Sequence, residues 1–481
     1  MKNESGNIVY DNPLITRYCS EEMNRTFSPQ MKFVTWRKLW IELAKAEKEL
    51  GLPITTEQIN ELEAHVNDID FEKAAEYEKK LRHDVMAHIH VYGDQCPNAK
   101  PIIHLGATSA YVGDNTDIIQ MREGLGIIRS ELVNVIRNLK IFSLEYKNLP
   151  TLGFTHFQPA QLTTVGKRAA LWLQDFVLDY HELEHVVSNL RFRGVKGTTG
   201  TQASFCSLFE NDYEKVRKLD EMVSSAFGFS KKFIITGQTY TRKMDFYVAA
   251  FLSGVCQSAA KMANDIRLLM HLKEIEEPFE SSQVGSSAMP YKRNPMRSER
   301  INSIARFVIS LESSPAMTQS AQWFERTLDD SANKRLSIPQ MFLGTDAVLR
   351  VAINITSGFV VYPAVIRKHI DEELPFIASE NIIMQAVKKG GDRQKLHEEI
   401  RKMSHEAAWK FKTEGTPYDI IERIKKSGSF NLDEKEINGI MEPSLYIGRA
   451  PMQVEEFITE EVDPILEKEK DSPGGDVRLN V

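Results

Sequence analysis

The chain has 481 residues, 42% hydrophobic and 26% charged, enough to bury a large core and divide into two or three domains. A formal net charge of -7 is the wrong sign for a protein that coats nucleic acid. There is no run of about eighteen apolar residues, MKNESGNIVYDN lacks the regions of a signal peptide, and Cys19, Cys96, Cys206 and Cys256 show no CxxC pairing, which argues against anchoring, export, disulfides or a zinc ribbon and fits a reducing cytoplasm.

From the N-terminus, Phe33 to Leu50 carries Trp36, Leu39, Trp40 and Leu43 on one stripe and is predicted helical, as is Thr56 to Val66. Residues 1–110 are expected to form a small helical domain. The next section differs in kind. From Ile118 the apolar stripe runs through Met121, Leu125, Ile128, Leu132, Val135, Leu139 and Phe142 in steps of three and four, the seam of a long bundle helix. A second stripe runs from Leu162 to Leu190 and a third from Met244 to Leu269, with further candidates at Ile301 to Leu311 and Lys334 to Gly358. Strand patterns are nearly absent. The expectation is an all-α protein whose central domain, 111–363, is a bundle of about five long helices. Such helices need partners on several sides, which predicts a homo-oligomer. Beyond Tyr362 and Pro363 the spacing shortens, with helices predicted from Ala364 to Lys388 and from Asp392 to Thr413 and breaks at Gly415, Gly428 and Gly439. This gives a third helical domain, 364–481, and its end, SPGGDVRLNV, reads as a disordered tail.

Three loops between the long helices are dense in small, polar and basic residues, and loops on a rigid bundle are where reactive groups are placed. The first is Gly106-Ala107-Thr108-Ser109 followed by Gly113-Asp114-Asn115; on its own it reads as a turn with Asp114 or Asn115 capping the helix, or as compact donors beside an anion. The second is Gly153 to Gln161, containing Thr155 and His156, where an imidazole held by neighbouring amides could protonate a leaving nitrogen near neutral pH. The third is Gly285 to Pro295, preceded by the acidic, loop-like Glu276 to Gln283. Ser286 and Ser287 form its small, hydroxyl-bearing half, and Lys292, Arg293 and Asn294 its rigid cationic half, a mixture suited to a lid over an anion. Lys292, Arg293, Arg297, Arg300 and Arg306 fall within fifteen residues, either as an anion patch or as a solvated helix face.

Two other motifs are weaker. His83, His88 and His90 beside Asp84 suggest a metal site, but offsets of five and seven residues do not bring three imidazoles onto one helix face, so no metal is expected. Val195-Lys196-Gly197-Thr198-Thr199-Gly200 superficially looks like a phosphate loop, yet it lacks the GKS or GKT ending and a preceding strand and reads as a tight helix-to-helix turn.

In order and spacing, GATS near residue 106, THFQPAQ at 155–161 and SSAMPYKRNP at 286–295 resemble the three signature regions of the fumarase and aspartase superfamily. Within it, MPYKRNPMRSER is similar to animal-type adenylosuccinate lyases, and Tyr291 and Arg293 argue against argininosuccinate lyases, which tend to have glutamine and lysine there. The resemblance implies anti elimination of fumarate from a succinylated purine nucleotide without metal or cofactor, in a homotetramer whose sites are shared between subunits. It implies Ser286 as general base, His156 as general acid, Lys292 as a cation for the developing charge and Glu299 as the carboxylate orienting the histidine. It further implies contacts to substrate from Arg17, Tyr18, Arg82, His83, Asp84, Thr108, Ser109, Thr155, Gln238, Ser287, Asn294, Arg300, Arg326, Ser331 and Arg335. The alternatives are another fumarate-releasing lyase or a silent structural relative; the presence of Ser286 and His156 speaks against the latter. Small-molecule substrates, rather than nucleic acid or a membrane, are the expected partners.

Overall fold

The computed structural model describes residues 10–279, 289, 291–475, 477 and 479. A single π-helical turn, Leu14–Tyr18, leads into α1 (Glu21–Thr26), α2 (Pro29–Glu49), α3 (Thr56–Ala64), α4 (Phe71–Leu81) and α5 (Asp84–Gln95). Ser20, Ser28, Thr55, Asp70 and His83 each cap the helix that follows by accepting a backbone N–H.

The bundle consists of the five helices read from the stripes: α6 (Ser109–Glu145), α7 (Val165–Asn189), α10 (Lys243–His271), α11 (Met296–Leu311) and α13 (Asp329–Thr356). Between them lie α8 (Ala203–Leu208), α9 (Tyr213–Ala226) and α12 (Ser313–Ser320). Helix α6 packs on α7 and α13, and α10 packs on α7, α11 and α13. At a rise of about 1.5 Å per residue α6 is about 55 Å long. The stripe residues Ile118, Leu125, Ile128, Leu132, Val135 and Leu139 are fully buried, which is why the periodicity was legible. Among the described helices α13 alone is long and apolar enough to cross a membrane, but 78% of its apolar window is buried inside the protein, as expected of a core helix.

The remaining helices are α14 (Pro363–Ile377), α15 (Ser379–Lys388), α16 (Arg393–Glu414), α17 (Ile420–Ser427), α18 (Glu434–Ile440), α19 (Ala450–Phe457) and α20 (Asp463–Lys468). The segment expected to be one helix from Ala364 to Lys388 divides at Ala378, just after Pro375. Gly415 and Gly428 end helices with positive φ, whereas Gly439 lies inside α18 and breaks nothing. The described part of the final segment is not a loose tail. Val477 and Leu479 pack on the core, Asn134 Nδ2 donates to the Pro473 carbonyl at 3.0 Å, and Asn354 Nδ2 donates to that of Val477 at 3.0 Å.

Among the described residues four strands qualify the all-helical picture. β1 (Pro150–Thr155) and β2 (Gln158–Thr164) form an antiparallel hairpin, and β3 (Ile275–Glu276) pairs with β4 (Val360–Val361), so Glu276 belongs to a strand rather than a loop. The hairpin escaped sequence reading because Pro150, Gly153 and Pro159 interrupt any alternation and only Thr151, Leu152, Leu162 and Thr164 are buried along it. As a lone two-stranded ribbon it tolerates proline, having no central strand. The stretch from Val195 to Gly200 belongs to a longer irregular connection between α7 and α8 rather than a tight turn, and Lys196 is buried in an ion pair with Asp220 at 2.6 Å.

Candidate active site

The α4–α5 corner is built by three consecutive residues. Arg82 closes α4 in the left-handed region with φ 55, His83 caps α5, and Asp84 opens it. The Met86 N–H donates to His83 Nδ1 at 3.2 Å, so the neutral ring carries its proton on Nε2, which lies 3.3 Å from Ser109 Oγ. Burial would raise the Asp84 carboxyl, but the Val85 N–H and Arg335 bring it below its ordinary value, and Arg335 Nη2 donates to it at 2.9 Å. Ser331 and Arg335, four residues apart on α13, face this corner across a cavity of about 650 Å³.

Arg82, His83, Asp84, Ser109, Arg326, Ser331 and Arg335 all line that cavity. Thr108 and Gln238 stand at its edge through a relay in which Arg326 Nη1 donates to Gln238 Oε1 at 2.8 Å and Gln238 Nε2 donates to Thr108 Oγ1 at 3.2 Å. Arg326 Nε is buried without an acceptor among the described residues. The Gln238 backbone is pinned by the buried Arg193, whose Nη2 donates to its carbonyl at 2.6 Å, and by its own N–H to the Glu325 carbonyl at 3.0 Å.

The cavity rests on an ionic floor that the sequence reading missed. Arg242, 1% exposed at its side chain, bridges Asp114 at 2.9 Å and Asp330 at 2.6 Å, while Lys334 pairs with Asp114 at 3.0 Å and Asp117 at 2.5 Å. Burial pushes the Asp114 carboxyl up, but Arg242 and Lys334 outweigh it and hold it well below the carboxylate range. Asp114 and Asn115 therefore lie within α6, which begins at Ser109, and cap nothing; Asn115 Oδ1 instead accepts the Gly194 N–H at 3.0 Å. The available signal was a set of charges on otherwise apolar bundle helices, since a buried charge is retained only when paired.

The other expected residues fall into separate groups. Arg17 and Arg300 lie on the Tyr18 ring, 5.8 and 5.7 Å from its centroid, and burial, with Arg17 and Arg297 nearby, lowers the Arg300 guanidinium despite Tyr18. Lys292, Asn294 and Glu299 occupy the entry to α11, with Lys292 and Glu299 exposed. The basic run there is not simply a solvated face: Arg293 pairs with Glu276 at 2.9 Å, and buried Arg297 donates to the Pro278 carbonyl at 2.8 Å. Buried Glu277 caps α11 by accepting the N–H groups of Arg297 and Ser298. Ser286 and Ser287 lie outside the described residues.

His156 sits at the exposed tip of the β1–β2 hairpin beside exposed Thr155. Thr155 pairs with Gln158, leaving His156 and Phe157 as a two-residue turn with φ 55 and 57, the requirement of a type I′ turn. The hairpin is anchored at its base: Arg168 Nη2 donates to the Leu152 carbonyl, and Thr151 Oγ1 donates to buried Glu274 at 3.4 Å. Gly153 sits at the register shift, where a Cβ would come 2.6 Å from the Gln161 carbonyl oxygen. The ring is not held by flanking amides as expected; Gln158 Nε2 donates to the Phe157 carbonyl instead. His88 stacks on Phe33 and His90 on Tyr77, which takes both imidazoles away from His83.

Among known proteins, a lyase family model matches residues 41–310, and a model described as the adenylosuccinate lyase C-terminus matches residues 375–457. The fold is similar to that of the 3-carboxy-cis,cis-muconate lactonizing enzyme from Pseudomonas putida, with a TM-score of 0.81 and 22% identity over 94% of this chain and 100% of that one. The adenylosuccinate lyase of Saccharomyces cerevisiae is 53% identical over 98% of this chain and 99% of its own, and that of Schizosaccharomyces pombe 52% identical over 95% of each. Identity of that extent, running through the corner, the bundle and the C-terminal helices alike, places the chain in the adenylosuccinate lyase family.

Proposed function

We infer that the chain eliminates fumarate from adenylosuccinate to give AMP and from the succinylated imidazole carboxamide ribotide to give its carboxamide, two steps of purine nucleotide synthesis. The observation that carries this is a cavity of nucleotide size in a family member, with Arg82, Arg326 and Arg335 around it and hydroxyls from Ser109 and Ser331 between them. Guanidinium forks match carboxylate and phosphate geometry.

The chemical difficulty is the carbanion left when a proton is taken from the carbon next to a carboxylate. Spreading its charge into that carboxylate demands preorganised cations and donors, the roles given to Lys292 and Asn294. Ser286 takes the proton and Ser287 supplies a neighbouring donor. A serine hydroxyl acts as base only in a dry, cationic setting. His156 protonates the departing purine nitrogen, with Glu299 orienting its ring. Arg17, Tyr18 and Arg300 bind a carboxylate or the phosphate.

The active form is a cytoplasmic homotetramer whose subunits share sites. Four unpaired thiols suit a reducing compartment. Sharing is supported by the dispersal of the expected residues: the hairpin tip, the Tyr18 cluster and the entry to α11 do not line the α4–α13 cavity of their own chain. Incubation with adenylosuccinate, followed by ultraviolet absorbance with Ser286→Ala as control, tests the reaction; no turnover by folded protein overturns it. Mixing inactive His156→Ala and Ser286→Ala proteins tests sharing, since hybrid tetramers regain activity only if the two residues meet across subunits.

A further inference from the structure

We propose that Lys32 is a further substrate-binding residue of the α4–α13 cavity, holding the phosphate monoester of the nucleotide; this rests on the reaction inferred above. Lys32 lines the cavity together with Arg82, His83, Ser109, Ser331 and Arg335. Its position is a poor one for a structural cation. It stands in the opening turns of α2, four residues after the Ser28 cap, where the helix dipole opposes positive charge and no acidic residue occupies the first turn. Burial and the neighbouring Arg335 lower the Lys32 ammonium, and Lys334 adds to this. The two nearby carboxylates are already engaged, Asp84 by Arg335 at 2.9 Å and Asp117 by Lys334 at 2.5 Å.

What holds Lys32 is apolar: its Nζ lies over the rings of Phe33 at 5.2 Å and Trp36 at 5.0 Å, and it makes no hydrogen bond or ion pair among the described residues. A desolvated ammonium without a carboxylate, on the wall of a cavity, is completed by an incoming anion with several oxygens. A lysine is a compact point charge on a flexible stem, suited to a tetrahedral dianion that need not be met in a plane. The hydroxyls of Ser109 and Ser331 and the Arg335 fork supply the remaining donors such a group accepts.

The test uses full-length protein with Lys32→Met, which keeps the stem on the two rings, and Lys32→Arg, which keeps the charge. AMP, adenosine and fumarate are titrated calorimetrically, and steady-state constants for adenylosuccinate are measured in parallel. The expected result is a loss of AMP affinity of about ten-fold or more in Lys32→Met, with adenosine and fumarate binding unchanged, a matching rise in KM rather than a fall in kcat, and recovery of most of the affinity in Lys32→Arg. AMP affinity unchanged within two-fold, or AMP and adenosine weakened equally, overturns the proposal. Should Lys32→Met fail to fold, Lys32→Gln is titrated in its place with the same outcomes. Absence of fumarate release by the wild-type protein would instead refute the reaction, and the AMP titration would still decide Lys32.

Discussion

Glu47 lies on α2 with its side chain fully buried and both carboxylate oxygens without a partner among the described residues. Desolvation pushes its carboxyl from 4.5 up to about 9, so the native protein keeps the proton through neutral pH. The unfolded chain releases that proton above its ordinary value and binds fewer protons than the native state across the interval. Stability from this residue is therefore fully present at acidic pH and falls as pH rises, by about 1.4 kcal/mol per unit, until the native group itself ionises. Between about pH 5.5 and 8 this amounts to about 3 kcal/mol as an upper value, or about 3–7 °C in Tm. Glu47→Gln keeps the volume and cannot ionise. Its melting temperature, read by scanning calorimetry over that range, should gain on the wild type as pH rises, whatever constant offset the buried amide introduces. Parallel curves would refute the reasoning and mean that Glu47 is already charged and paired in the native state.

The other predictions concern the site. Arg242→Met leaves Asp330 as an uncompensated buried carboxylate and Asp114 with Lys334 alone, and should destabilise by about 3–5 kcal/mol in denaturant melts, with loss of substrate affinity as Arg326 and Ser331 shift. His156→Ala should lower kcat by about 10²–10⁴ in the absorbance assay while the melting temperature stays constant, because the ring is exposed at a hairpin tip. Asp346 accepts both the Ser20 N–H and its hydroxyl at 2.6 Å and so ties the turn carrying Arg17 and Tyr18 to α13; Asp346→Ala should raise KM several-fold, and Asp346→Asn by less.

The bundle was legible because each of its helices buries one stripe over many turns, and a period sustained that long leaves little alternative. Less was legible where structure depends on residues far apart in the chain. Asp114, Arg242 and Asp330 lie on three different elements, and each alone reads as an ordinary surface charge until the fold brings them together. The start of α6 was placed too late because Gly113-Asp114-Asn115 has turn chemistry, and burial against α13 and the Gly194 loop overrode that local preference. The hairpin failed for the opposite reason: a free-standing ribbon buries too little to write an alternation into its sequence. Arg82, His83 and Asp84 were assigned to substrate by resemblance alone, and the reason for their adjacency, a left-handed corner between two helices, became visible only in the structure.

The turn at His156 and Phe157 carries a consequence for engineering. Left-handed backbone costs a non-glycine residue about 1–2 kcal/mol, and Asn-Gly is the pair this geometry favours. A search for thermal tolerance that ranks substitutions by folding alone would therefore select against the proposed acid first, tightening the ribbon while silencing the enzyme. Optimising this molecule for shelf life and optimising it for turnover diverge at this turn, and any screen that rewards only survival on heating needs a fumarate readout beside it.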